Sequence, residues 1–140
     1  MPFARIVVAI DGSRGADRAL TTALELARLT GAEITALTIE GPLPAYAATI
    51  AEVDEVKRQK DRFFESVAEE ARARAEQAGV AIAVEVRAGH AAELITRFAA
   101  EHGADLVVVG HKGHFLEDYV LGSTADRVAH HAPCPVMIVK

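Results

Sequence analysis

LVVVGHKGHFLEDYVLGSTADRVAHHAPCPVMIVK, residues 106–140, is the stretch whose reading decides the fold. Leu106–Val109 is an apolar run too short and too β-branched for a helix, so it reads as a buried strand. It empties into Gly110-His-Lys-Gly113, and a second glycine-hydroxyl corner, Gly122-Ser-Thr124, opens a short helix over Ser123–His131. Val136–Val139 closes the chain as another strand. Strand, glycine loop and helix N-terminus in that order make a place where backbone N–H groups converge on phosphate oxygens.

Working outward, the same alternation repeats. Ile6–Ile10 is a strand ended by Asp11-Gly-Ser13, and Ala16–Leu29 places Leu20, Ala23, Leu24 and Ala27 at helical spacing before Gly31 stops it. Ile34–Ile39 is a second strand, followed by a loop at Gly41-Pro-Leu-Pro44. Thr49 and Glu52 resemble a capping box for a long helix to about Ala78, with Val53, Val56, Phe63, Phe64 and Val67 as its buried stripe. Val80–Val86, apolar at even positions, predicts a strand near a sheet edge; His90–Ala100 predicts a helix, and Asp105–Val109 the fourth strand.

This order predicts one domain over residues 1–140: a three-layer α/β sandwich around a five-stranded parallel sheet in the order 3-2-1-4-5. The winding direction reverses between strands 1 and 4, and ligands of such sheets sit at the carboxyl ends of the strands flanking the reversal. Asp11 and Gly110, about a hundred residues apart, would meet there.

Composition narrows the function classes. A net charge of −5 in 140 residues argues against general nucleic-acid affinity, which needs a basic face. Only 5% of residues are aromatic while 51% are apolar, so the core is expected to be Val, Ile, Leu and Ala. The single cysteine, Cys134, excludes an intrachain disulfide and fits a reducing compartment. Met1–Asp11 reads as a strand rather than a signal peptide, and no apolar run approaches the roughly 20 residues of a membrane span. The expectation is a cytoplasmic protein with neither a nucleic-acid nor a membrane partner.

Each candidate residue has two readings. Gly110 and Gly113 bring N–H groups close to a phosphate, or they are a turn that needs glycine for backbone reasons alone. Gly122, Ser123 and Thr124 offer an anion the start of a helix, while Ser123 with Asp126 also fits an ordinary N-cap. Asp11 would repel phosphates, so it faces sugar or base, or else holds the Gly12–Ser13 turn and caps the first helix. Lys112 is a point charge for phosphate or an exposed loop lysine. The pairs His111/His114 and His130/His131 lack a carboxylate or cysteine at zinc-ligand spacing, so any metal is expected to be Mg²⁺ carried by the phosphates. Cys134, between Pro133 and Pro135, reads as structural.

Three segments in this order, Val8-Ala-Ile-Asp-Gly-Ser13, Gly110-x-x-Gly113 with Gly122-Ser123, and His131-Ala-Pro-Cys-Pro-Val136, resemble the universal stress protein family in its nucleotide-binding branch. The resemblance implies a flavodoxin-like, Rossmann-related fold of the adenine nucleotide alpha hydrolase-like kind, holding ATP or another adenine nucleotide (ADP, AMP or cyclic AMP). It implies adenine near Ile39, Asp11 at the nucleoside, and phosphates against the two glycine corners. Ile10, Asp11, Ile39, Val109, Gly110, Lys112, Gly113, Gly122, Ser123 and Thr124 are then the nucleotide-binding set. It also implies a homodimer through the last strand, Pro135–Lys140, whose exposed edge invites pairing. The chain departs from the family pattern in two respects: eight residues, not nine, separate Gly113 from Gly122, and the position two after the corner serine, often a second hydroxyl, is Ala125, with Thr124 offering a hydroxyl one place earlier. The expected function is a nucleotide-dependent stress-response sensor or regulator without catalytic residues, since no nucleophile–base pair and no S-G-G-x-D-S-type loop is present. The competing readings are a nucleotide-free dimeric scaffold and a slow ATPase.

Overall fold

The computed structural model describes residues 3–40, 50–111 and 123–140. Along them run β1 (Arg5–Ile10), α1 (Arg14–Thr30), β2 (Glu33–Glu40), α2 (Ile50–Ala78), β3 (Ile82–Ala88), α3 (Ala91–Glu101), β4 (Leu106–Gly110), α4 (Ser123–His131) and β5 (Val136–Val139). All pairings are parallel and the order is β3-β2-β1-β4-β5, as the alternation of apolar runs predicted. β5 lies at one edge of the sheet and β3 at the other. No described helix is long and apolar enough to cross a membrane.

Strand periodicity sorts the core into two halves. Ile6, Val8, Ile10, Ile34, Ala36, Leu106 and Val108 face α1 and α2; Val7, Leu37, Val107 and Val109 face α3 and α4. Both sides of β1 and β4 are therefore buried, which is why these strands are unbroken apolar runs. Thr38 is fully buried on the α1/α2 side, and its hydroxyl has no hydrogen-bond partner among the described residues.

Where boundaries differ from the periodicity, the backbone supplies the reason. β3 starts at Ile82 rather than Val80 because Gly79, at φ 72°, turns the chain out of α2. The Val80 N–H then closes on Ala75 O at 2.9 Å and the Gly79 N–H on Glu76 O at 3.1 Å. Both bonds finish the helix, so Val80 belongs to its exit. α1 starts at Arg14, and its cap is Ser13 rather than Asp11: the Ser13 hydroxyl accepts from the Ala16 N–H at 3.1 Å.

The stripe expected on α2 also needs correction. Its buried residues are Ala68, Ala71 and Ala75, whereas Phe63 is 50% exposed and Val53, Val56, Phe64 and Val67 are half-buried. A 29-residue helix is about 43 Å long at 1.5 Å per residue, against about 26 Å for the eight residues of β2. The first half of α2 therefore reaches past the carboxyl ends of the strands, and only its alanine-rich second half packs on the sheet. Thr49, the expected cap, lies outside the described residues.

Candidate functional site

At the carboxyl ends of the central strands, where β1 and β4 part, the structure holds a cavity of about 200 Å³. Its walls come from every layer: Ile10 and Asp11 from the end of β1, Ile39 from β2, Val109 and Gly110 from β4, Ser123 and Thr124 from α4. Seven of the ten residues singled out in the sequence thus surround one space. Lys112, Gly113 and Gly122, the other three, lie outside the described residues.

Asp11 is held by the turn it helps to make. Its Oδ1 accepts from the Ser13 N–H at 2.8 Å. A carboxylate has about four acceptor positions, so the group retains capacity for a hydroxyl or an exocyclic amine. Ser13 itself is buried and its hydroxyl is committed to the α1 cap.

Gly110 has a backbone reason to be glycine. A Cβ placed there would sit 2.7 Å from the carbonyl carbon of Gly15 and 2.8 Å from its oxygen, closer than real contacts allow. The first turn of α1 therefore crosses directly over the end of β4, joining the two halves of the switch point. The next amide, on His111, donates to Val139 O at 2.8 Å and so completes the β4–β5 ladder. At the second corner α4 begins at Ser123, and Gly122 lies outside the described residues. Asp126 lies 3.4 Å from His130 Nε2, a carboxylate neighbour one turn away.

Sequence reading missed the rest of the lining: Ala9, Ser13, Ala16, Leu37, Ala91, Ile95 and Ala125. Ala9 and Leu37 share the parity of Val109 and Ile39, so strand alternation carried their signal. Ala91 and Ile95 carried none, because the approach of α3 is tertiary. The Gly89 N–H, which donates to Glu40 O at 2.9 Å, extends the β2–β3 ladder to the residue just before the α3 cap, His90.

The arrangement is a small apolar box with a polar rim, suited to a flat heterocycle whose attached groups meet Asp11 and the α4 hydroxyls. Beside it, burial first, then the charge of Asp61 and a hydrogen bond to it, push the Glu40 carboxyl above its ordinary range, while Lys60 and Lys57 pull it back down. Away from the box, burial and the charge of Asp105 raise the Cys134 thiol, which favours its protonated form.

The model of the universal stress protein family matches residues 2–140. The chain belongs to that family. It is 29% identical over 147 residues to the universal stress protein YxiE of Bacillus subtilis, covering 99% of each chain. The structure of the universal stress protein UspA from Lactobacillus plantarum superposes with a TM-score of 0.85 at 28% identity, covering 99% of this chain and 98% of that one. A universal stress protein solved in complex with cAMP superposes with a TM-score of 0.78, also at 28% identity, over 100% and 99% of the two chains. These universal stress proteins share the α/β fold described above.

Proposed function

We propose that this universal stress protein binds an adenine nucleotide in the switch-point cavity and acts as a regulator rather than an enzyme. The observation that carries the reading is that Asp11, Ile39, Val109, Gly110, Ser123 and Thr124 line one space. The apolar walls fit adenine, Asp11 the ribose hydroxyls, and the start of α4 the phosphates, ATP among them, with Mg²⁺ carried on their oxygens. The related structure holding cAMP supports the same ligand class. Among the described residues, the lining holds carboxylate and hydroxyl groups but no His, Lys or Cys to serve as base or nucleophile. The protein works in the cytoplasm as a homodimer joined through Pro135–Lys140.

Thermal unfolding with cyclic AMP, AMP, ADP and ATP tests this reading. A ligand at a hundred times its Kd adds ~2.7 kcal/mol. For a chain of this size that raises the Tm by roughly 5–15 °C. Four flat responses would leave a nucleotide-free scaffold as the function.

A further inference from the structure

A second and larger hollow, about 790 Å³, runs between α3 and α4. It shares Ala91, Ser123 and Thr124 with the nucleoside cavity, so the two adjoin at the start of α4. At about 200 Å³ the inner cavity falls short of the roughly 300–1,000 Å³ of ordinary ligand pockets, whereas the adjoining groove, at about 790 Å³, lies within that range. The inner part is apolar; the groove is lined by His90, Glu93, Thr96, Arg97, Arg127 and His131.

Charge in the groove runs against that of the whole chain, which is −5. Its carboxylate, Glu93, is bound to Arg97 at 2.6 Å, so that pair is neutral. Arg127 makes no hydrogen bond or ion pair among the described residues, and its nearest acidic neighbour in sequence, Asp126, faces His130. Ser123, Arg127 and His131 are spaced by four on one stripe of α4. Arg127 therefore lies about 6 Å along the helix from Ser123 and lines the groove rather than the inner cavity.

We infer that the α3–α4 groove receives the outer phosphates of a nucleoside di- or triphosphate, and that Arg127 sets the preference for phosphate-chain length. The inference rests on the adenine-nucleotide reading. The base and sugar fill the inner cavity, the first phosphate meets Ser123 and Thr124, and the second and third pass along the stripe to Arg127. A guanidinium is suited to this because its fork engages two phosphate oxygens at once.

Calorimetric titration of adenosine, AMP and ATP into the wild type, Arg127→Ala, Arg127→Glu and Arg127→Lys tests it. Arg127 is exposed, so the variants are expected to fold, and matching circular dichroism melts verify that. The expected result is a loss of about tenfold in ATP affinity for Arg127→Ala, a larger loss for Arg127→Glu, partial retention for Arg127→Lys, and adenosine unmoved throughout. If all variants keep the wild-type ratio of ATP to adenosine affinity, the groove inference fails while nucleotide binding stands. If the wild type binds none of the three ligands, the nucleotide reading itself fails and takes the inference with it.

Discussion

The backbone of Gly15 lies against Gly110, so close that a methyl group on Gly110 would sit 2.7 Å from the Gly15 carbonyl carbon. Two chain segments that wind in opposite directions are thereby pressed together at the floor of the cavity. Gly110→Ala forces the first turn of α1 outward and takes Asp11 with it. Overpacking of this kind costs about 1–3 kcal/mol. Urea unfolding is expected to show that loss, and calorimetry to show weakened adenosine binding.

Asp11 serves the turn and, in the proposed function, the nucleoside. Asp11→Asn keeps an acceptor for the Ser13 N–H, whereas Asp11→Ala removes it. Asparagine is expected to leave stability nearly unchanged and to weaken adenosine binding. Alanine is expected to cost a further 1 kcal/mol or so of folding stability. Equal stability of the two variants would show that the turn does not depend on this hydrogen bond.

The hydroxyl of Thr38 is buried without a partner among the described residues, an unfavourable arrangement that valine removes at nearly constant shape. Thr38→Val is expected to stabilise the protein by about 1 kcal/mol. A chemical-denaturation midpoint that moves down rather than up would refute this.

Glu40 makes stability depend on pH. Burial and Asp61 raise its pKa in the folded protein, so the folded state holds the proton to higher pH than the unfolded chain does. The resulting contribution is fully present below the unfolded pKa and is lost as pH rises through the folded one. Glu40→Gln abolishes that loss. The variant is expected to gain stability relative to wild type on going from acid to neutral pH, which parallel melts across the range would measure.

The edge of β5 offers a test of assembly. Pro135 O and Val139 O both accept from β4, at 3.0 Å from Val107 N and 2.8 Å from His111 N, so the backbone groups of the alternating residue Ile138 point away from the sheet. Ile138→Pro removes an outward donor and spares the β4–β5 ladder. If copies pair through this strand, the variant is expected to elute as a monomer at a concentration where the wild type elutes as a dimer.

How far the sequence reaches differs from element to element. Ile6–Ile10 and Leu106–Val109 were legible as core strands because both their faces are buried, leaving no polar residue to confuse the pattern. The first half of α2 was not: Phe63 and Val56 fit a buried stripe by spacing, and nothing local tells that the helix outruns the sheet. Gly110 was legible as a special position but not for its cause. A glycine in a phosphate loop and a glycine crossed by another backbone look the same in one dimension.

The order of strands and the meeting of Asp11 with Gly110 followed from the chain itself, since short connections and a fixed crossover hand leave few ways to arrange alternating strands and helices. The tertiary structure alone decided which helix closes the cavity, which glycine touches which, and where the groove carrying Arg127 runs. Those are distances between segments far apart in sequence, set by how whole elements pack, and local propensity carries no record of them.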